Sequence, residues 1–149
     1  MIDGDTYFEI QDAGNYLRIK PIYRHSYNSS DHDWDKNWIK VNIEIKVGSF
    51  TGNFLCDFMT FDFESFYNQF VLLYDDLNGS LEFSNLENNL ELKIKGDGIG
   101  HFKLMGLAYD GYMYGENKLS FRFDFDQTQI KEIEKGLYQI IKMYPKIET

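Results

Sequence analysis

One segment of the 149-residue sequence carries oxygen-bearing side chains at alternate positions, in the order Asp31, Asp33, Asp35 and Asn37. The calcium loop of an EF-hand begins in this way, but it also needs glycine at its sixth position and glutamate at its twelfth. Lys36 and Asn42 occupy those positions, so calcium binding is not expected. We expect instead that Asp33 or Asp35 caps a turn, and that the two tryptophans of the segment cover an open edge of the core.

The other residue types that carry catalysis or bind metals are poorly spaced for either role. The three histidines, His25, His32 and His101, form no His-x-x-x-His pair, and Cys56 lies in an apolar run that disfavours its thiolate. The glycines of Gly96–Gly100 lack the spacing of a dinucleotide-binding loop. The sequence predicts no cofactor, metal site or catalytic nucleophile, although distant carboxylates could still bind zinc. We expect His101 to hydrogen-bond the adjacent glycine-rich turn.

Acidic residues are the most informative charged groups. The chain holds 24 Asp and Glu against 15 Lys and Arg, a formal charge of −9, and residues 41–100 carry most of the imbalance. Such a surface repels a phosphate backbone and attracts a basic protein, so direct nucleic-acid binding is not expected. Acids at the end of a helix face the negative pole of its dipole, and residues placed against local preference are candidates for binding. The predicted partner-binding residues are Asp31, Asp33, Asp35, Asp57, Glu64, Asp75, Asp76, Glu82 and Glu87.

Composition places the chain among ordinary globular proteins. Its length suits a single domain spanning residues 1–149, and an aromatic content of 17% favours β-structure. No apolar run is long enough to cross a membrane. A single cysteine and the lack of a charged-then-apolar leader predict a cytoplasmic location.

Hydrophobic periodicity predicts the elements. Apolar residues alternate strictly from Ile39 to Val47, which indicates a half-buried strand, and a hairpin is predicted around Asp12–Asn15. Two amphipathic helices are predicted at about 61–77 and 127–144, and Gly136 in the second indicates close packing against a neighbour. The predicted fold is α+β: one antiparallel sheet, or two packed sheets, of about eight strands with these two helices.

Five short fragments follow one another in a characteristic order: Asp33-Trp34-Asp35-x-Asn37-Trp38, Phe50-x-Gly52-x-Phe54, an acid-flanked helix start with Phe66, Gly100-His101, and Asp126-Gln127-Thr128 with Ile130. Together they resemble the WapI family of bacterial immunity proteins over most of the chain. Members of that family are associated with protection from a cell-wall-associated toxin whose C-terminal domain cleaves tRNA. The resemblance implies a cytoplasmic, non-catalytic inhibitor of a cognate toxin domain, and it carries over no active-site residue.

Three functional hypotheses follow. The first is an immunity protein that neutralises a basic, nuclease-type toxin domain through an acidic surface. The second is a carboxylate-dependent hydrolase, which needs two acids facing one another in a pocket. The third is a generic protein-interaction module whose acidity serves solubility alone. The sequence does not indicate an oligomeric state.

Overall fold

The computed structural model describes residues 6–111 and 117–148. It contains two four-stranded antiparallel sheets, each followed in the chain by one helix. The first half contains β1 (Phe8–Asp12), β2 (Asn15–Arg24), β3 (Trp38–Val47), β4 (Phe50–Met59) and α1 (Thr60–Asp75). The second half contains β5 (Ser80–Ser84), β6 (Leu90–Gly96), β7 (His101–Tyr109), β8 (Lys118–Asp126) and α2 (Ile130–Met143). Strands adjacent in sequence are adjacent in each sheet. The predicted α+β class, with two sheets and two helices, is confirmed.

Two short 3-10 helices occur where the sequence predicted a loop and the start of the second helix. Asp33–Asn37 forms one in the polar connection before β3, and Gln127–Gln129 forms the other before α2. The second helix therefore begins three residues later than predicted. Asp126 caps the 3-10 turn by accepting a hydrogen bond from the Thr128 amide at 2.9 Å.

The predicted β1–β2 hairpin is confirmed, with Asp12 paired to Asn15 across a two-residue turn. Ala13 and Gly14 both have positive φ angles, of 49° and 88°. Two-residue turns of this kind match the right-handed twist of the flanking strands. The turn therefore sets the register in which Ile10 lies opposite Leu17 on the buried face.

The inner faces of the two sheets share one core with the helices. On β3 the predicted alternation is observed, because Ile39, Val41 and Ile43 are fully buried while the intervening side chains face outward. Phe66 of α1 lies at the junction of the two halves. Its ring stacks on Phe83 of β5, with 3.9 Å between centroids, and meets Phe8 of β1 edge-on at 5.3 Å.

Each helix also contacts the sheet of the other half. Gln69 of α1 accepts a hydrogen bond from the Glu82 amide of β5 at 3.3 Å. On α2, a Cβ at Gly136 would lie 2.8 Å from the Tyr7 carbonyl oxygen and 2.9 Å from the Phe8 Cβ, so the predicted close packing is observed. Gln129 exchanges hydrogen bonds with the backbone of Gln11 in β1 instead of completing a capping box at Asp126. These contacts make each half depend on the other.

The start of α1 is stabilised by a buried carboxylate. Asp62 accepts a hydrogen bond from the Met59 amide at 2.7 Å. Thr60 is the first helical residue and donates its hydroxyl to the Asn37 side-chain oxygen. Burial raises the pKa of Asp62 to about 6, although hydrogen bonds from the Met59 and Leu86 amides oppose the shift.

In the described ranges, no helix is sufficiently long and apolar to cross a membrane.

Gly136→Ala is expected to destabilise the protein, even though alanine is the better helix former. The added methyl group would meet the Tyr7 carbonyl oxygen, immediately before β1, at 2.8 Å, and overpacking of this kind costs about 1–3 kcal/mol. Urea unfolding followed by circular dichroism measures the change. Gln139→Ala, at an exposed position of the same helix, serves as the control and should change stability by less than about 0.5 kcal/mol. A Gly136→Ala variant more stable than the parent would contradict the packing.

Asp62→Asn is expected to flatten the dependence of stability on pH. Between the ordinary value of 3.8 and the folded value of about 6, the folded state binds more protons than the unfolded state at this carboxyl. Stability contributed by Asp62 is therefore lost as pH rises through this window, by about 2–3 kcal/mol in total. The variant's amide oxygen still accepts from Met59. The free energy of unfolding, measured at pH 4 and at pH 7, should fall less in the variant than in the parent. Equal falls would show that Asp62 does not have a raised pKa.

Candidate protein-interaction surface

A buried asparagine joins three segments of the chain. The Asn37 amide nitrogen donates to the carbonyl oxygens of Asp33 and Ile147 at 2.6 and 3.1 Å. Its oxygen accepts from the Ile147 amide at 2.8 Å and from the Thr60 hydroxyl at 3.2 Å. One side chain thus connects the 3-10 helix, the start of α1 and residues 145–148, which we call the C-terminal strap. The Asn37 oxygen is used for these bonds.

Arg24 holds the same strap from the end of β2. Its guanidinium donates to the Lys36 carbonyl at 2.8 Å and to the Pro145 carbonyl at 2.6 Å. Lys36 is itself buried and donates to the Ser29 carbonyl at 3.1 Å. These backbone acceptors are therefore satisfied by cationic donors, which make stronger hydrogen bonds than neutral ones.

A cleft of about 390 Å³ lies between the 3-10 helix, the start of α1 and the C-terminal strap. Trp34 and Phe61 form its aromatic wall, with ring centroids 5.2 Å apart at an angle of 44°. Trp34 remains 51% exposed, so the expectation that both tryptophans cover the core fails for this one. We call this feature the Trp34–Phe61 cleft. Its other lining residues are Asp33, Asn37, Met59, Thr60, Lys146 and Glu148.

Carboxylates dominate the electrostatics of this cleft. Lys146 pairs with Glu148 at 2.9 Å, and this hydrogen-bonded pair raises the pKa of Lys146. The charges of Glu64 and Asp33 raise it further, which places both carboxylates within electrostatic range of the same ammonium group. The fold thus brings together two of the predicted partner-binding residues that are far apart in sequence.

The acidic loop before β3 flanks the cleft. Asp31 accepts a hydrogen bond from the Asn28 amide at 2.7 Å, so Asp31 caps the local turn that was assigned from sequence to Asp33 or Asp35. Asp35 is exposed on the 3-10 helix. Lys36 approaches Asp33 to 3.8 Å, but its own side chain is only 5% exposed. The loop therefore presents mainly negative charge to solvent.

Asp57 and Glu87 belong to a separate cluster. Asp57, on the outer face of β4, contacts His25 Nε2 at 2.7 Å and Lys40 Nζ at 3.1 Å. Burial raises the pKa of Glu87, and the neighbouring charge of Asp57 raises it further. Because these acids already interact with cations of the same chain, they are the least suited of the predicted residues to bind a partner.

Asp75, Asp76 and Glu82 lie near the far end of α1. The helix has 16 residues, and at 1.5 Å per residue this separates them from Glu64 by most of its length of about 24 Å. Asp76 accepts a hydrogen bond from the Asn78 amide at 3.1 Å, a local role that sequence reasoning missed. Asp75 and Glu82 are exposed. The nine predicted residues therefore form three separate groups rather than one patch.

The outer face of the second sheet carries a larger groove, of about 680 Å³. Gly106 of β7 forms part of the groove's floor. The Phe121 ring of β8 packs against Gly106, where a Cβ atom would lie only 2.2 Å from the ring. The outward side chains mix both signs of charge, since Glu82 lies opposite Lys93 and Lys103 lies opposite Asp124. Among the charged residues that line the groove, Glu82 and Glu91 outnumber Lys93, so the groove also carries a small excess of negative charge.

The carboxyl and thiol groups whose pKa values are raised by burial lie away from both clefts. Asp62 and Glu87 have raised pKa values, but neither lines either cleft. Cys56 is buried, and burial raises its pKa to about 12, so its thiol is unreactive. His101 contacts Asp97 in the glycine-rich turn at 3.1 Å, as predicted. Across residues 6–111 and 117–148, no three His, Cys, Asp or Glu side chains are grouped to hold a metal ion.

The sequence analysis missed Phe61 and the C-terminal strap as parts of the surface. Phe61 gave a usable signal, because it lies off the buried stripe of α1 formed by Phe63, Phe66 and Phe70. An aromatic residue outside the core-facing stripe of a helix is a candidate for contact with something other than the core. The strap gave no signal, since its partners lie 110 or more residues away.

Comparisons with solved structures show the fold. WHY1 from Arabidopsis thaliana aligns at a TM-score of 0.50 and 11% identity, with 94% of this chain and 84% of that chain covered. WHY3 from the same plant aligns at a TM-score of 0.50 and 11% identity, with 93% and 87% covered. At this identity the likeness extends to the fold alone. No curated protein matches the sequence.

A family model matches residues 8–145, nearly the whole chain, and thus includes both sheets, both helices and most of the Trp34–Phe61 cleft. The family is described as the Immunity protein WapI-like family, and it is the one that the ordered sequence fragments resembled. The chain belongs to this family of immunity proteins.

Proposed function

We propose that the protein neutralises a cognate toxin domain in the cytoplasm by binding a basic surface of that domain, without catalysis. Membership of an immunity family supports a toxin as the partner. The formal charge of −9 supports a partner of opposite charge. A nuclease suits this description, because it must be basic where it binds phosphate groups.

The observation that carries the proposal is where the uncompensated acids lie. Glu64 and Asp75 lie at the two ends of α1, and among the described residues neither makes an ion pair. Asp35 adds an exposed carboxylate beside the helix start. Asp57, in contrast, is occupied by Lys40 and His25. Glu64, Asp75 and Asp35 are therefore among the acids available to a partner.

Complementary charge acts mainly on the rate of association. Oppositely charged protein surfaces associate at rates up to about 10⁸–10⁹ M⁻¹s⁻¹ at low salt, and the advantage falls as salt screens the field. An immunity protein has to reach its toxin before the toxin reaches its substrate. An acidic surface serves that requirement because it raises the rate at which the immunity protein meets a basic toxin domain.

Co-expression with the toxin domain encoded beside this gene tests the proposal. The chain should restore growth to cells producing the toxin domain and should form a complex with it at low salt. Absence of both rescue and complex would overturn the proposal. If one molecule of this chain inactivated many molecules of the toxin domain, the result would instead support the hydrolase alternative.

The double reversal Glu64→Lys/Asp75→Lys is expected to slow association with the toxin domain by about 10-fold or more at low salt and to reduce its salt dependence. The matched control is Asp12→Lys/Asp124→Lys, which changes the net charge equally at the β1–β2 hairpin and on the outer face of β8. Stopped-flow or surface-plasmon measurements at several salt concentrations give both quantities. Equal slowing by the two variants would show that only total charge matters and would support the generic alternative.

A further inference from the structure

We propose that the Trp34–Phe61 cleft is the central contact for the toxin domain and seats a basic side chain, arginine or lysine, projecting from that domain. This inference rests on the proposed function and adds to it the place of contact and the chemistry of the anchor. The partner is a protein with a positively charged surface, as the charge of the cleft requires.

The aromatic wall is the first argument. Trp34 keeps 51% of its surface exposed although its ring contacts the tilted ring of Phe61, and Phe61 lies off the buried stripe of its helix. Tryptophan, tyrosine and arginine dominate the residues that contribute most to binding energy in protein interfaces. The face of an indole also attracts a cation held within about 6 Å of the ring. A cationic side chain entering the cleft would meet such a face.

Charge is the second argument. Asp33 and Glu148 line the cleft, and Glu64 acts on the same Lys146 ammonium. That ammonium is already paired with Glu148 at 2.9 Å, and the Asp62 carboxylate compensates the positive end of α1. Lys36 lies 3.8 Å from Asp33, so three carboxylates, Asp33, Glu64 and Glu148, face two ammonium groups and leave an excess of negative charge at the cleft. An arriving guanidinium would find both an aromatic face and carboxylate acceptors.

Rigidity is the third argument. The walls come from three segments that Asn37 and Arg24 hold together by hydrogen bonds of 2.6–3.1 Å to Asp33, Ile147 and Pro145. A preformed cleft loses little conformational entropy when a partner binds. The larger groove on the second sheet offers no comparable aromatic face, because Phe83 and Phe121, which line it, are each only 6% exposed.

Trp34→Ala is expected to weaken the complex with the toxin domain by about 30-fold, the loss typical of a central interface residue. The change should lie in the dissociation rate, because the charges that guide association are retained. Tyr138→Ala is the matched control, since Tyr138 is also 51% exposed but belongs to α2. It should bind within about 3-fold of the parent. Trp34→Phe, which keeps an aromatic face, should recover most of the affinity.

A second variant, Glu148→Lys, tests the same cleft in case the Trp34→Ala variant fails to fold. Its side chain is 68% exposed and lies in the C-terminal strap, so the substitution leaves the core intact, and thermal unfolding checks this. It should weaken binding by about 10-fold by placing a cation at the mouth of the cleft. Hydrogen exchange on the parent complex should show protection at residues 31–37 and 60–64.

The outcomes separate the two proposals. If the parent chain binds and rescues while Trp34→Ala and Glu148→Lys bind as well as the parent, the cleft is not the central contact and the proposed function stands. If the parent chain neither binds nor rescues, the proposed function fails, and the assignment of the cleft fails with it. Selective loss in the cleft variants, with Tyr138→Ala unaffected, supports both.

Discussion

The stacking of Phe66 on Phe83, at 3.9 Å between ring centroids, is the contact on which the rest of the structure depends. Each half of the chain is a four-stranded sheet followed by a helix, and neither sheet can bury its inner face against its own helix alone. Phe66 places α1 between Phe83 of the second sheet and Phe8 of the first. The position of Phe61, one and a half turns earlier on the same helix, follows from that placement. The core therefore determines where the Trp34–Phe61 cleft can form.

The distribution of charge follows from the same architecture. Strand side chains alternate between the core and the solvent, so both outer sheet faces mix acids and bases and partly neutralise themselves, as Arg18 does between Glu9 and Glu44. The 3-10 segment and α1 lie outside those cross-strand pairings. Asp35 and Asp75 on these segments are exposed, and neither makes an ion pair within residues 6–111 and 117–148. An immunity protein can thus be highly acidic in total and yet offer a partner a limited acidic region.

Local periodicity was sufficient to predict much of this fold. The alternation from Ile39 to Val47 identified β3, the three-to-four spacing identified α1, and Gly136 indicated a close approach before its neighbour was known. The grouping of the acids could not be predicted, because it depends on which helix packs on which sheet. Asn37 shows the limit most clearly. Its place in a polar loop indicated no distant partner, whereas its partners include Ile147, 110 residues later.

The hydrogen bonds of the C-terminal strap also have a consequence for synthesis in the cell. Arg24 and Asn37 are translated more than a hundred residues before their acceptors at Pro145 and Ile147. A nascent chain can form the first sheet long before it can close the wall of the cleft. The surface that we assign to the toxin is thus completed only after Ile147 has been synthesised, and a product truncated before Pro145 would lack it.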